Sequence, residues 1–242
     1  MPMVQPGDDL AALVNAALQR NGLDLRDGDV LVIAQKVVSK SEGRSVLLST
    51  VTPSDKAMEL AVQVDKDPRL VELILRDSTQ IIRAVTGVLI VQHQLGFVCA
   101  NAGIDQSNIE HDDGERAMLL PLDPDDSARR IRDGLCAASG KRLGVIICDS
   151  VNRPWRLGTI GMAIGCSGVK VLDDRRGDTD IFGRTLKVTM SNRADSIASA
   201  ALLIMGETDE GIPVVLVRGL PFEDVQQTAR DAVRPKSEDL FL

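Results

Sequence analysis

Two short polar stretches of the chain combine carboxylate, amide and hydroxyl side chains directly after apolar runs that predict buried strands. Asp105 and Asn108 belong to the first stretch, and Asp149 and Ser150 open the second. Oxygen atoms of this kind are the ligands that a hard divalent cation prefers, and a strand end often borders a crevice. Arg153 follows the second stretch and could face an anion. The pattern therefore predicts a metal-bridged polyphosphate, and with it an enzyme.

Each stretch taken alone also has an ordinary explanation. Asn, Gly, Asp and Ser are common in turns because they tolerate unusual backbone angles and bond their own backbone. A plain turn is the more frequent explanation for a segment such as the one around Asp105, and strands often end at Asp. The two segments together, followed by Arg153 and Arg156, favour a functional site. Asp105, Asp149 and Ser150 can supply three of the several oxygens that a divalent cation needs.

A second group of polar residues follows the apolar strand predicted over residues 30–34. Gln35, Lys36, Ser39 and Lys40 lie in a segment whose alternating pattern predicts that the strand continues. A lysine there can reach a phosphate oxygen as a mobile point charge. The same pattern is equally typical of a solvated edge strand that lysines protect from pairing.

Three further features are ambiguous. Glu207 lies in the loop 206–211, where flanking glycines would let the backbone approach a ligand, although an exposed acidic turn is the commoner explanation. Trp155 could stack on a planar ligand or simply pack. His93 and His111 have no partner at the spacing of a metal site or a catalytic triad.

The composition excludes several classes of protein. The chain has 242 residues, of which 44% are hydrophobic, and its net charge is −7. An acidic protein is a poor match for nucleic acid or for an anionic membrane, since both attract basic surfaces. The four cysteines are widely spaced and form no zinc or disulfide pattern, so a reduced cytoplasmic setting is expected.

Helical and strand patterns alternate irregularly along the chain, which predicts a mixed α+β fold rather than a regular doubly wound sheet. No linker or repeat divides the sequence, so residues 1–242 are expected to form one domain, as a single unit or as two interleaved lobes. The tail after about residue 223 should be a loosely packed helix. Helices are predicted over about 10–21, 54–76 in two pieces, 127–138 and 193–205, and strands over 30–34, 80–84, 88–92, 97–100, 143–148, 186–190 and 213–217.

Four segments of the chain together resemble the coenzyme F420:L-glutamate ligase family. They are residues 28–44, 101–108, 149–156 and 205–207. Their order and rough spacing agree with the family from residue 1 to about residue 220. Several motifs over almost the whole chain make the resemblance far more specific than any single signature.

The resemblance implies a GTP-dependent ligase with mixed sheets, flanking helices and a fold of its own. Such an enzyme adds L-glutamate to the lactyl-phosphate side chain of a deazaflavin, coenzyme F420-0, and then adds further glutamates through γ-glutamyl linkages. The reaction passes through an acyl phosphate and releases GDP and phosphate. The family uses Mg²⁺ or Mn²⁺ together with K⁺, and it forms homodimers.

The resemblance also assigns roles to individual positions. It implies that Asp105, Asp149, Ser150 and Glu207 bind metal, and that Lys40 and Arg153 assist the chemistry. At the start of the chain the family has Leu-Pro-x-Ile, and Met1 and Val4 replace the Leu and the Ile. The residues that would contact GTP are Met1, Pro2, Met3, Val4, Gln35, Lys36, Lys40, Asn108, Met205, Gly206, Glu207, Thr208, Asp209, Glu210, Gly211 and Ile212.

Two other functions stay open from the sequence. One is a metal- and GTP-dependent amide ligase that uses the same nucleotide site on a different carboxylate acceptor. The other is a non-catalytic relative that binds the nucleotide without turning it over. All three share small-molecule ligands, so neither nucleic acid nor a membrane is expected as a partner.

Overall fold

The computed structural model describes residues 1–111, 113–223 and 225–239. Its helices are α1 (Leu10–Arg20), α2 (Gln35–Ser41), α3 (Asp55–Val64), α4 (Pro68–Arg76), α5 (Pro124–Ser139) and α6 (Arg193–Met205). Its strands are β1 (Val30–Ala34), β2 (Ser45–Leu47), β3 (Ser78–Val85), β4 (Val88–His93), β5 (Val98–Ala100), β6 (Arg116–Met118), β7 (Gly144–Asn152), β8 (Thr159–Ser167), β9 (Leu172–Asp174), β10 (Met190–Asn192) and β11 (Val214–Val217). This mixture confirms the predicted α+β class.

The largest sheet has the strand order β11-β1-β7-β8. Its two central strands, β1 and β7, run parallel, and both outer strands are antiparallel to their neighbours. Parallel neighbours need a long crossover, and here residues 35–143 form it. Three smaller sheets complete the fold: β3-β4-β5, β2-β6 and β9-β10.

Helices cover both faces of the largest sheet. One core joins α1 and α5 to the sheet and includes Leu31, Ile147 and Leu135. The core on the opposite face joins α6 to the sheet through side chains such as Val32 and Ala198. A third core lies within the crossover and unites α3, α4 and β4. Because both faces of β1 and β7 are buried, these strands read as continuous apolar runs in the sequence.

Side chains that cap the backbone mark the starts of three helices. The side chain of Asp9 accepts a hydrogen bond from the Ala12 N–H and caps α1, and Ser54 caps α3 in the same way. Asp67 caps α4, with Pro68 in the first turn as expected. The carboxyl and hydroxyl oxygens thus satisfy backbone donors that have no partner inside the helix.

Several sequence predictions of local structure were wrong. Residues 35–41 form helix α2 rather than more strand, and the side chains of Gln35, Val38 and Ser39 are the buried ones, which is helical spacing. The strand predicted over 186–190 is instead β10, which begins at Met190. Residues 159–167 form strand β8, although the sequence with its glycines predicted neither helix nor strand there. Those glycines are needed for packing: a Cβ at Gly161 would lie 2.5 Å from the Ala198 backbone, and one at Gly165 would lie 2.3 Å from the Pro124 carbonyl oxygen.

The C-terminal tail also differs from the expected helix. Its described part contains two short 3₁₀ turns, Ala229–Ala232 and Lys236–Glu238. Asp125 fixes the first turn, because its Oδ1 accepts hydrogen bonds from the backbone N–H groups of Ala229 and Cys166, both at 2.8 Å. Among the described residues, no helix is long and apolar enough to cross a membrane.

His93, at the end of β4, is a buried histidine held in its neutral form. Its Nδ1 accepts a hydrogen bond from the Leu95 N–H at 2.9 Å, and its ring stacks on Phe97. Burial, with a smaller contribution from the nearby Arg44 charge, lowers the pKa of His93 to about 4. The folded state therefore opposes protonation of this ring.

We expect His93 to make the fold sensitive to mild acid. Because the folded pKa lies below the ordinary value near 6.5, the stabilisation is complete above pH 6.5 and is lost as the pH falls towards 4. The loss should approach about 3 kcal/mol in the free energy of unfolding. Urea titrations between pH 7.5 and 4.5 measure it, with His111→Gln as the control for losing an exposed histidine. Equal pH slopes for the wild type and His93→Gln would contradict this assignment.

Candidate active site

The sheet register brings the two sequence motifs together. Ala34, the last residue of β1, pairs with Cys148 on β7 in parallel register. Lys36, on α2 directly after β1, and Asp149-Ser150, still within β7 but beyond its pairing with β1, therefore lie at the same edge of the sheet. The strand that was expected to end at Cys148 continues through Asp149 and Ser150 to Asn152.

Asp105 reaches this edge from the long crossover. Its backbone forms a two-way bridge with Met118 at the end of β6. Its side chain accepts a hydrogen bond from Lys36 Nζ at 2.6 Å and from Ser107 Oγ at 2.6 Å. Burial alone would raise the pKa of Asp105, but these hydrogen bonds outweigh it and lower that pKa. Asp105 is thus held as a carboxylate next to a lysine.

The loop between α6 and β11 closes the same edge. The Ala34 N–H donates to the Pro213 carbonyl oxygen at 2.9 Å, which anchors the loop to β1. Glu207 Oε1 accepts a hydrogen bond from Thr159 Oγ1 at 2.7 Å, and Asn108 Nδ2 donates to the Thr208 carbonyl oxygen at 3.1 Å. The loop is therefore tied to β8 and to the segment that carries Asp105.

These elements surround a polar cleft of about 310 Å³. Most of the residues assigned to metal and nucleotide from the sequence lie along it, so the structure brings them together. The lining side chains and backbone include Gln35, Lys36, Asp105, Asn108, Asp149, Ser150, Met205, Gly206, Glu207, Thr208, Glu210 and Gly211.

A second cavity of about 330 Å³ adjoins the cleft through α2 and the 105–110 segment. Met3, Val4 and Lys40 line it, together with Glu110. Lys40 lies one helical turn from Lys36 on α2. Burial and the Lys36 charge lower the pKa of Lys40, and the Glu110 carboxylate partly offsets them.

Five of the assigned residues lie outside the linings of these two cavities. Asp209 and Ile212 flank the loop that borders the cleft, and Met1 and Pro2 precede the segment at the second cavity. Arg153 lies in the exposed turn between β7 and β8, just beyond the cleft. For these five, the structure shows proximity to the site rather than a position on its walls.

Asp149 is a carboxylate whose charge the protein compensates only in part. Burial, reinforced by the nearby Asp105 charge, raises the pKa of Asp149 to about 7, although the Ser150 N–H, the Lys36 charge and the Gln35 side chain act in the opposite direction. A carboxylate in this condition gains most from an added cation. The cleft therefore has too little positive charge to stabilise the ionised Asp149 fully.

The donor set of the cleft fits a divalent cation that is completed by a ligand. Within residues 1–111, 113–223 and 225–239, no three acidic, histidine or cysteine side chains converge to hold a metal ion on their own. Mg²⁺ usually binds one or two protein carboxylates and takes its other ligands from water and substrate phosphates. Asp105, Asp149 and Glu207, with the Ser150 hydroxyl, can serve such ions only beside a phosphate-bearing substrate.

Two positioning residues were missed from the sequence. Ser107 donates to Asp105 through both its N–H and its hydroxyl, and Thr159 donates to Glu207. Ser107 has a local signal, because a serine two residues after an aspartate commonly forms this turn. Thr159 has none, since its partner is 48 residues away.

Comparison with known proteins shows which family this chain belongs to. A sequence model of the family described as F420-0:Gamma-glutamyl ligase matches residues 1–219. The chain belongs to this family. It is 45% identical to the coenzyme F420:L-glutamate ligase of Methanothermobacter thermautotrophicus, over 100% of this chain and 95% of the relative. It is 46% identical to the enzymes of the same name from Methanocaldococcus jannaschii, over 90% of this chain, and Methanopyrus kandleri, over 98%.

Membership in the F420-0:gamma-glutamyl ligase family confirms the resemblance seen in the motifs. The alignments cover 86% and 93% of the relatives from M. jannaschii and M. kandleri, so the similarity is not confined to one region. All of the residues that line the polar cleft fall inside the matched range.

Proposed function

We propose that the protein is a GTP-dependent ligase that adds L-glutamate to coenzyme F420-0 and then, through γ-glutamyl linkage, to F420-1. The observation that carries the proposal is that Asp105, Asp149 and Glu207 line one cleft together with Lys36, in a chain of this ligase family. The names of the relatives, coenzyme F420:L-glutamate ligases, support the acceptor and the amino acid.

The two adjoining cavities support a nucleotide that spans both. The triphosphate would occupy the polar cleft beside Lys36 and Asn108, and the nucleoside would extend past Lys40 towards Met3 and Val4. A polar cleft beside a cavity with apolar side chains matches the two ends of such a ligand. In this arrangement the loop 205–212 would contact the phosphates through its backbone.

Mg²⁺ or Mn²⁺ would be held by Asp105, Asp149, Ser150 and Glu207, and we propose K⁺ as an additional ion in the same site. When bound, these ions would supply the charge neutralisation that the crowded phosphate and carboxylate oxygens require. Lys36 holds Asp105 in place at 2.6 Å. Thr159 holds Glu207 through its Oε1 at 2.7 Å, so a metal-binding role for Glu207 would start from a fixed side chain.

The reaction we propose has two steps. An acceptor carboxylate oxygen attacks the γ-phosphorus, the bond to the bridging oxygen breaks, and GDP leaves. The glutamate amine then attacks the acyl carbon, the bond to phosphate breaks, and phosphate leaves as the amine loses a proton. Lys40 and Arg153 would stabilise the negative charge on the phosphate and acceptor oxygens, since a positioned cation acts where that charge develops.

The decisive experiment is mass spectrometry of F420-0 incubated with the purified protein, GTP, L-glutamate and Mn²⁺. We expect products heavier by one or more glutamyl residues, with GDP formed in equal number. Omitting glutamate, replacing GTP with ATP, or adding a chelator should each suppress the product. GDP release with another carboxylic acid but not with F420-0 would instead identify a ligase of a different acceptor. Bound GTP without turnover would identify a non-catalytic relative.

We also propose that the protein is a homodimer. The arm formed by residues 175–189, between β9 and β10, exposes Ile181, Phe182 and Val188, each at least 86% accessible. Large exposed apolar side chains are typical of protein contacts, and a second copy of this chain is the occupant that the family resemblance implies. Sedimentation equilibrium should give a dimer for the wild type and a weaker association for Phe182→Asp. A monomeric wild type at micromolar concentration would contradict the proposal.

A further inference from the structure

The tip of the hairpin between β7 and β8 is an exposed basic and aromatic projection. We define the tip as residues 153–158. Trp155 is 80% exposed, and Leu157 is fully exposed. Arg153 and Arg156 flank the tryptophan. In a chain with a net charge of −7 and a single tryptophan, this concentration of cation and aromatic ring on one turn is unusual.

The tip is joined directly to strand residues that border the polar cleft. Asp149 and Ser150 of β7 line the cleft, and Thr159 at the start of β8 bonds Glu207 of the same cleft. Asn152 pairs with Thr159 at the last rung of the hairpin. Trp155 follows Ser150 by five positions, so their Cα atoms lie within about 17 Å of each other.

The backbone of Trp155 has a conformation that bulky residues rarely adopt. Its φ is 61°, in the left-handed region. Non-glycine residues in such regions cluster at binding and catalytic sites, where surrounding structure holds them. The exposed Trp155 ring is therefore carried on a backbone with a constrained conformation.

The proposed acceptor has dimensions that match this arrangement. Its reacting carboxylate belongs to a lactyl phosphate, and a ribityl chain joins that phosphate to a planar deazaflavin ring. Roughly ten single bonds separate the carboxyl carbon from the ring, or about 12 Å in an extended chain. An acceptor whose carboxylate lies beside Asp149 could therefore extend along the hairpin towards Trp155 and the tip arginines.

We propose that Trp155 forms the subsite for the planar ring of the acceptor, by stacking on its face. The inference rests on the proposed function and goes beyond it, because it places the ring outside the cleft, on the hairpin tip. Stacking suits this task, since an indole offers a large flat surface with little conformational freedom to lose. The tip arginines, Arg153 and Arg156, add attraction for the phosphodiester.

Intrinsic fluorescence tests the contact directly, because Trp155 is the only tryptophan and the chain has no tyrosine. We expect F420-0 to quench more than half of the emission at saturation, in wild-type protein with Mn²⁺ and GDP present. The ring with its ribityl chain but without lactyl phosphate should also quench, at higher concentration. Lactyl phosphate alone should not. Emission that F420-0 leaves unchanged would overturn the proposal.

Kinetics separate stacking from mere proximity. Trp155→Ala should raise the KM for F420-0 about tenfold, equivalent to about 1.4 kcal/mol, with kcat and the KM for GTP within twofold of wild type. Trp155→Phe should restore most of the affinity, because a smaller aromatic ring still stacks. Val62→Ala, an exposed apolar change on α3, is the matched control and should change nothing. Circular dichroism confirms that each variant is folded.

The outcomes distinguish the subsite from the proposed function. Wild-type turnover of F420-0 with an unchanged KM in Trp155→Ala would overturn the ring subsite and leave the ligase function standing. Absence of any wild-type product would instead remove the proposed function, while quenching still reports whether the ring binds at Trp155. Dissociation of the dimer in Trp155→Ala, with acceptor affinity restored at high protein concentration, would show that the tip is a subunit contact and would also overturn the proposal.

Discussion

Replacing Asp149 with Asn should lower the rate of GTP-dependent product formation by about a thousandfold or more, with the fold intact. The change removes one negative charge from a side chain that we propose holds a cation beside the phosphates. Loss of a single preorganised electrostatic contact in an active site costs on the order of 10²–10³ in rate, and a metal ligand is worth at least as much. Single-turnover GDP release and mass spectrometry measure the effect.

The same substitution should not weaken the metal-free protein. The folded pKa of Asp149, about 7, lies above the ordinary value for Asp, so its ionisation opposes folding at pH 8. Asn removes that penalty, and thermal unfolding at pH 8 should occur at the wild-type temperature or higher. Asp133→Asn, an exposed change on α5, is the control and should alter neither activity nor stability by much. Wild-type activity in folded Asp149→Asn would remove Asp149 from the site.

Replacing Gly206 with Ala should reduce kcat/KM for GTP about a hundredfold. Gly206 ends α6 with φ 73° and ψ −178°, a combination that is essentially restricted to glycine. A Cβ there would lie 2.0 Å from Cδ of Glu210. Moving the Glu210 side chain away would break the hydrogen bond that its Oε2 accepts from the Thr208 N–H at 2.9 Å, and the loop would change shape. A shift of about 1 Å in a binding loop is enough for an effect of this size.

A matched substitution separates this local effect from the general cost of replacing a glycine. Gly87, in the turn between β3 and β4, also has positive φ, at 84°, but a Cβ there meets nothing within 4 Å. Gly87→Ala should therefore cost some stability and leave the kinetics unchanged. Isothermal titration with GDP and Mn²⁺ gives a second measurement for Gly206→Ala. Nucleotide affinity equal to wild type would show that the loop does not depend on this glycine.

Local chemistry made much of the fold predictable. Asp9, Ser54 and Asp67 cap helices as expected, because a capping side chain bonds backbone donors only two or three residues away. The apolar runs of β1 and β7 were recognisable since both faces of these strands are buried. Prediction failed where tertiary packing determines the structure. In β8, Gly161 and Gly165 leave room for the close approach of α6 and α5, and this packing has no periodic signal in the sequence.

The site itself was predictable in its residue types but not in its geometry. Asp105, Asp149 and Glu207 could be singled out as carboxylates at strand or helix ends. Their convergence depends on the parallel register of β1 and β7, which periodicity cannot reveal. Lys36 lies on a helix rather than an edge strand, and its contact with Asp105 spans 69 residues. Contacts over such separations leave no local signal in the sequence.

The parallel pairing of β1 with β7 affects how this chain folds. Residues 35–143 separate the two strands, and closing so large a loop is entropically costly and slow. Any fragment that ends before Asp149 lacks one side of the cleft, and β11, which completes this edge of the sheet, comes later still. Nucleotide and metal, bound in the cleft as we propose, would therefore protect the entire chain against proteolysis rather than one segment of it.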